Sequence, residues 1–289
     1  MRVRTALFGV LLFLQSALVL TGGAVRLTGS GLGCPTWPEC TPGSYTPVPH
    51  QAEGQLHAWI EFGNRLLTFA LLFSALAAVI YVLKSGRKDL RSLAAGQVLG
   101  IIGQGVLGGI TVLTDLHPLP VAGHLLLSML LIAGATSLYS RRHEPHVKFS
   151  APTKTVSLLS QTHIAISFIV LILGTIVTGS GPHAGDEKAQ RFGFDIRSVA
   201  ILHADAVIFL MGLTIALLVA ASVTRSTKKA IYIFFAISLA QGGVGYAQYL
   251  TGIPELLVAI HLAGATIFWI AAWRIRLSVV RTSQQERDR

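Results

Sequence analysis

The chain has 289 residues, 52% of them hydrophobic and 12% charged, with a mean hydropathy of +0.62. That balance excludes an ordinary soluble globular fold, and the apolar residues run in stretches of about 20, enough to cross roughly 30 Å of hydrocarbon as a helix. The formal charge of +10 does not point to nucleic acid, because the basic residues lie in short loops without aromatic or base-reading partners.

In chain order, the first apolar run covers about 6–25 and reads as a transmembrane helix or as a cleavable signal peptide. The first reading is favoured, because the corresponding segment of the second half has to be a retained helix. A loop with TGSG (28–31) and CPTWPEC (34–40) follows. Further spans are expected at about 57–83, 92–113 and 120–139, the middle one rich in glycine (Gly96, Gly100, Gly103, Gly105, Gly108, Gly109). Small residues at such spacing either pack helices closely or make room for a flat ligand. The second half carries spans at about 155–177, 198–221, 230–250 and 255–274.

Of the 23 Lys and Arg residues, only Arg26, Arg65, Lys188, Arg191 and Arg197 fall on the side of the CPTWPEC loop. Positive charge is retained in the cytoplasm, which predicts a multi-pass plasma-membrane protein with both termini cytoplasmic.

The two halves repeat. Gln104–Leu125 and Gln241–Leu262 match at a constant offset, with Gln104/Gln241, Gly105/Gly242, Gly108/Gly245, Val121/Val258 and His124/His261 among the identities. TGSG recurs at 178–181. Four spans per half make the repeats parallel, related by an axis along the membrane normal.

Ten histidines are present. His143 and His146 fall in a basic loop, and His50, His117 and His183 in loops of the opposite side. His163 lies within the fifth span, where a packing role is expected. His124, His203 and His261 each sit one to two turns inside a span, at matching depth, and an ionisable group there is costly enough to mark a functional site. Two imidazoles on facing helices suit a six-coordinate haem iron; paired structural histidines are the alternative. No cysteine or carboxylate cluster completes a zinc site at that depth.

Aligning the second and sixth spans places Asn64 opposite His203 and Glu61 opposite Ala200. Glu61, Asn64 and Arg65 share one helix face, and His57 can join them. A carboxylate beside a singly ligated haem suggests chemistry, whereas a Glu61–Arg65 ion pair is the plainer reading. Cys34 and Cys40 face the oxidising side, as a bracing disulfide or as a thiol-exchanging pair.

The ordered set GGAVRLTGSGLGCPTWPEC (22–40), WIEFGNRLLT (59–68), the histidine-bearing fourth, sixth and eighth spans and the duplicated halves resembles the haem A synthase family, its bacterial members in particular. The resemblance implies an all-α integral membrane protein, eight transmembrane helices in two pseudo-twofold-related four-helix bundles. Residues 1–145 would bind the substrate haem O and residues 146–289 the cofactor haem b. It implies an oxidoreductase that takes a methyl group of haem O, through a hydroxylated intermediate, to the formyl group of haem A for cytochrome oxidase. His203 and His261 would be the axial ligands of haem b, and His124 would face the substrate haem. Asn64 and Arg65 would line its pocket, Glu61 would be the carboxylate needed for activity, and Cys34/Cys40 the family's loop disulfide. Implied partners are haem O, membrane lipid, a haem O synthase and an electron donor, with no nucleic acid.

This chain departs from the family at Asn64, where many members have histidine, and its loop GSGPHAGDEKAQRFG (179–193) lacks a second cysteine pair. Two rivals remain in view. A diheme b-type cytochrome that only transfers electrons predicts a histidine pair in each half, and a repeat-built transporter would use Glu61 and Asp205 as a proton relay.

Overall fold

The computed structural model describes residues 2–143, 152–220 and 223–280. Among them are eight helices long and apolar enough to cross a membrane: α1 (Arg2–Leu27), α2 (Gln55–Lys84), α3 (Arg91–Leu113), α4 (Pro118–Ser140), α5 (Lys154–Ser180), α6 (Ile196–Val219), α7 (Arg225–Leu250) and α8 (Glu255–Val280). Each expected span falls on one of them. The expected boundary at 145/146, His146, residue 221 of the sixth span and the basic tail from 281 lie outside the described residues.

In hydrocarbon the backbone has to satisfy its own hydrogen bonds, and an uninterrupted helix does so except at its ends. Side chains cap several of these. The Thr153 side chain accepts from Val156 N, that of Thr224 from Thr227 N, and that of His117 from Leu119 N. Asp195 caps α6 by accepting from the Ser198 amide and hydroxyl, which holds its carboxyl below the usual carboxylate range. Large apolar side chains such as Phe69, Phe73, Leu99, Phe209 and Val219 remain exposed on the outward faces, where lipid is the natural solvent.

α1–α4 pack around one another in order, α1 closing against α4, and α5–α8 do the same, α5 closing against α8. The halves meet where α1 and α4 pack on α8 and α4 packs on α5. Two polar ties cross this seam near the terminal side: Trp269 Nε1 donates to Met129 O at 2.6 Å and Trp273 Nε1 to Ser137 Oγ at 2.7 Å. Two more cross it on the loop side: Arg26 donates to Thr178 O at 2.8 Å, and Gly31 N to Gly185 O at 3.0 Å.

The repeat extends into backbone geometry. The α3–α4 turn holds Asp115 and Leu116 at φ 50° and 58°, and the α7–α8 turn holds Gly252 and Ile253 at φ 81° and 61°. In each, the second left-handed residue donates back to a helix carbonyl, Leu116 N to Thr111 O and Ile253 N to Gln248 O. Left-handed Leu and Ile are unfavourable in isolation, so identical placement in both halves means that the hairpin over-determines it. These turns set His124 and His261 each at the seventh position of its helix.

Candidate functional site

His203 on α6 and His261 on α8 belong to one bundle, in which α5 and α7 stand between them. His124 occupies the corresponding place on α4. In all three the Nδ1 atom is wholly buried without a well-aligned hydrogen-bond partner, although the Val170 carbonyl of α5 lies close to the His203 ring; each residue is only half-buried, and in His124 and His261 Nε2 is neither covered nor bonded. An axial imidazole binds iron through one nitrogen and keeps its proton on the other. A ring that hides Nδ1 and presents Nε2 therefore fits haem ligation.

His163 shows the contrast. It is fully buried, its Nε2 lies 3.2 Å from Thr214 Oγ1, and its ring packs edge-on against Phe234 with centroids 4.7 Å apart. Its Nδ1 has no partner but is wholly buried, so neither nitrogen is open to a ligand, in keeping with a packing role.

Each ligand candidate leans on a glycine of the neighbouring helix. A Cβ built on Gly108 would stand 3.2 Å from His124 Cε1, one on Gly245 3.3 Å from His261 Cε1, and one on Gly174 3.4 Å from His203 Cε1. The glycines of α3 thus divide by role. Gly100 and Gly109 yield space to Leu131 and Trp37 as packing positions, whereas Gly108 seats a histidine.

In the first bundle, Asn64 takes the place that His203 holds in the second. Its Oδ1 accepts from Thr21 Oγ1 at 2.7 Å, and its Nδ2 lies 3.9 Å from where a Gly22 Cβ would be. Glu61, one turn earlier on α2, is 6% exposed. Its Oε1 accepts from Arg65 at 2.6 Å and its Oε2 from Cys34 N at 2.7 Å. Arg65 also donates to the carbonyls of Cys34, Thr36 and Glu39, at 2.9, 3.1 and 3.2 Å. The Glu61–Arg65 ion pair forms, and together the two side chains clamp the loop to the helix.

That loop is closed by the Cys34–Cys40 disulfide. Gly33 approaches α2 so closely that a Cβ there would sit 2.4 Å from the His57 carbonyl oxygen, which only glycine allows. Gln51 Nε2 donates to Gly33 O, and His57 Nδ1 lies 2.9 Å from Ser30 Oγ. His57 therefore joins the group through the loop. Asp205 lies on an exposed face of α6 in the other bundle, apart from Glu61.

Sequence reasoning did not single out the glycine seats or Arg26. Gln104 and Gly108, one turn apart, are both identical in the repeat to Gln241 and Gly245, which is the signal that marks the seat. Gln104 Nε2 donates to His124 O at 3.0 Å, so α3 holds that residue by backbone and by ring.

The cytochrome oxidase assembly protein family (COX15-CtaA) matches residues 5–185, more than half of the chain. The heme A synthase of Sinorhizobium fredii is 25% identical, over 92% of this chain and 87% of its own length. That of Rhizobium leguminosarum bv. trifolii is 25% identical over 92% and 88%, and that of Shewanella oneidensis 29% identical over 61% and 55%.

Proposed function

The chain belongs to the COX15-CtaA family of cytochrome oxidase assembly proteins, and on that footing we propose that it is a haem A synthase, an oxidoreductase converting a methyl group of haem O to the formyl group of haem A. The observation that carries the reading is the asymmetry of four matched positions. His124, His203 and His261 present an accessible Nε2, and the fourth position is Asn64. The second bundle, residues 146–289, is assigned to the cofactor haem b between His203 and His261. The first, residues 1–145, is assigned to haem O beside His124.

Haem b, when bound, supplies one-electron chemistry. The rest falls to side chains. His203 and His261 would hold the cofactor from α6 and α8, and His124 would orient the substrate from α4. Asn64, whose Oδ1 accepts from Thr21, would supply no strong metal ligand. Glu61 places a buried carboxylate on the helix facing His124; Arg65 gives two hydrogen bonds to Oε1 and Cys34 N gives one to Oε2, so a lone pair remains on Oε2 for a water or a substrate proton. Arg65 is committed to Glu61 and three loop carbonyls, so its part is to wall the pocket and fix the carboxylate. Arg26 keeps a buried Nε without a partner at the seam, where it ties α1 to the Thr178 carbonyl of the second half.

The site side is assigned to the outer face of the plasma membrane, with both termini cytoplasmic, on the placement of the basic residues. A haem O synthase and an electron donor are the partners this chemistry requires. The competing reading, a diheme electron-transfer cytochrome, is disfavoured by Asn64.

The test is the reduced-minus-oxidised spectrum of protein purified from haem-replete cells, with chromatography of the extracted haems. A b-type spectrum accompanied by haem O or haem A is expected. A folded preparation with no haem would overturn the proposal and favour a transporter.

A further inference from the structure

We propose that Gly174 and Gly245 are positioning residues for the haem b ligands and Gly108 for the substrate-side ligand, each setting the plane of one imidazole; this rests on the haem reading above. In every case the Cε1–Nδ1 edge of the ring faces the glycine, with Cε1 at the distance where an added Cβ would begin to push it. Glycine is poorly suited to a helix interior, so its presence calls for a local cause. Close helix packing is the usual cause in membranes and does account for Gly100 and Gly109.

The three seats differ from those positions in what faces the missing side chain: a histidine ring in close contact at 3.2–3.4 Å, rather than Leu131 or the Trp37 indole filling the space itself. The geometry is the same on three different helix pairs: α4 on α3, α6 on α5 and α8 on α7. Asn64 on α2 stands beside Gly22 of α1 in the same relation. Each even-numbered helix thus rests its ligand position on a glycine of the preceding odd-numbered helix. In both halves the seat is extended one turn by glutamine: Gln104 holds the His124 carbonyl, and the Gln241 amide fills the space over Gly264, three residues past His261.

Seating one edge fixes where the other points. With Nδ1 buried beside the glycine, the ring can turn only a little before it strikes the neighbouring helix, which leaves Nε2 as the nitrogen free to meet a ligand. Groups that orient an axial ligand in this way control both its affinity for the metal and the electronic character of the site. The seats therefore govern haem retention and the relative orientation of the two ring planes, without touching the haem.

The test compares Gly245→Ala, Gly245→Val and Gly174→Val with Gly243→Val, a control on α7 where an added Cβ meets nothing within 4 Å. Haem per protein and the electron paramagnetic resonance of the oxidised b haem are read on monodisperse, detergent-purified protein. Expected are a full haem complement in Gly243→Val and retained haem with a shifted low-spin signal in Gly245→Ala. The two valine seat variants should show haem occupancy reduced about tenfold or more. Parent-like haem content and signal in Gly245→Val, or equal losses in Gly243→Val, would overturn the inference alone, provided His261→Ala loses the haem. A parent protein without haem would overturn the function proposed above along with it.

Discussion

Glu61→Gln is expected to lower haem A formation by a factor of about 10² or more while leaving the b haem in place, the size of effect typical for losing a positioned acid–base group. Glutamine keeps the shape and one acceptor oxygen but no negative charge. Its oxygen can stay on Arg65, and its amide group then faces the Cys34 N–H, so a single loop hydrogen bond is lost. Leaving that buried N–H unpaired costs about 1–3 kcal/mol in stability, too little to unfold an eight-helix bundle. Glu61→Ala would confuse the issue, because it strands the half-buried Arg65 guanidinium and frees the loop. Arg65→Met is the informative partner. It breaks the clamp on three carbonyls yet keeps the carboxylate, so lower thermal stability with less than a tenfold loss of haem A is expected. If Arg65→Met matches Glu61→Gln in haem A yield, Glu61 acts by holding the loop. If Glu61→Gln forms haem A normally, the catalytic assignment fails.

His203→Ala and His261→Ala are each expected to abolish the b-type spectrum, whereas His163→Ala should keep it and lose stability. The distinction lies in which nitrogen is free. His203 and His261 present Nε2 and bury Nδ1, whereas His163 spends Nε2 on Thr214 and is enclosed by Phe234. Truncating a haem ligand removes a metal bond that no neighbour replaces. Truncating His163 leaves a cavity and removes one of the two partners of the Thr214 hydroxyl, which still donates to the Leu210 carbonyl, a cost of about 2–4 kcal/mol. A b-type spectrum in His261→Ala equal to that of the parent would remove the second bundle as the haem b site. A spectrum lost in His163→Ala at unchanged stability would move the ligand role to that residue.

The spans, the repeat and the matched histidines were legible because each is a local or periodic property. Twenty apolar residues can satisfy their backbone only as a helix, and the offset linking His124 to His261 is visible without coordinates. The turns carried that offset into space, with Leu116 and Ile253 in the same left-handed conformation. The glycine-rich third span was legible only as a choice between packing and room for a ligand, because the answer depends on which neighbour faces each glycine. Gly109 meets Trp37 from the distant loop and Gly108 meets His124. The Glu61–Arg65 pair could be read from its spacing, but its grip on Cys34, Thr36 and Glu39 could not. Those contacts join a loop to a helix 26 to 31 residues away, through backbone carbonyls that carry no side-chain signature. The same reason hid Arg26, whose partner is a carbonyl of the other half.

The most direct test of the central claim is conversion itself. The protein would be produced with a haem O synthase in cells that make haem O but no haem A, and the extracted haems separated by chromatography. Appearance of haem A that depends on this chain, and on Glu61 within it, is the predicted result. Haem O persisting unchanged beside a correctly folded, b-haem-loaded protein would contradict the account and leave an electron-transfer cytochrome in its place.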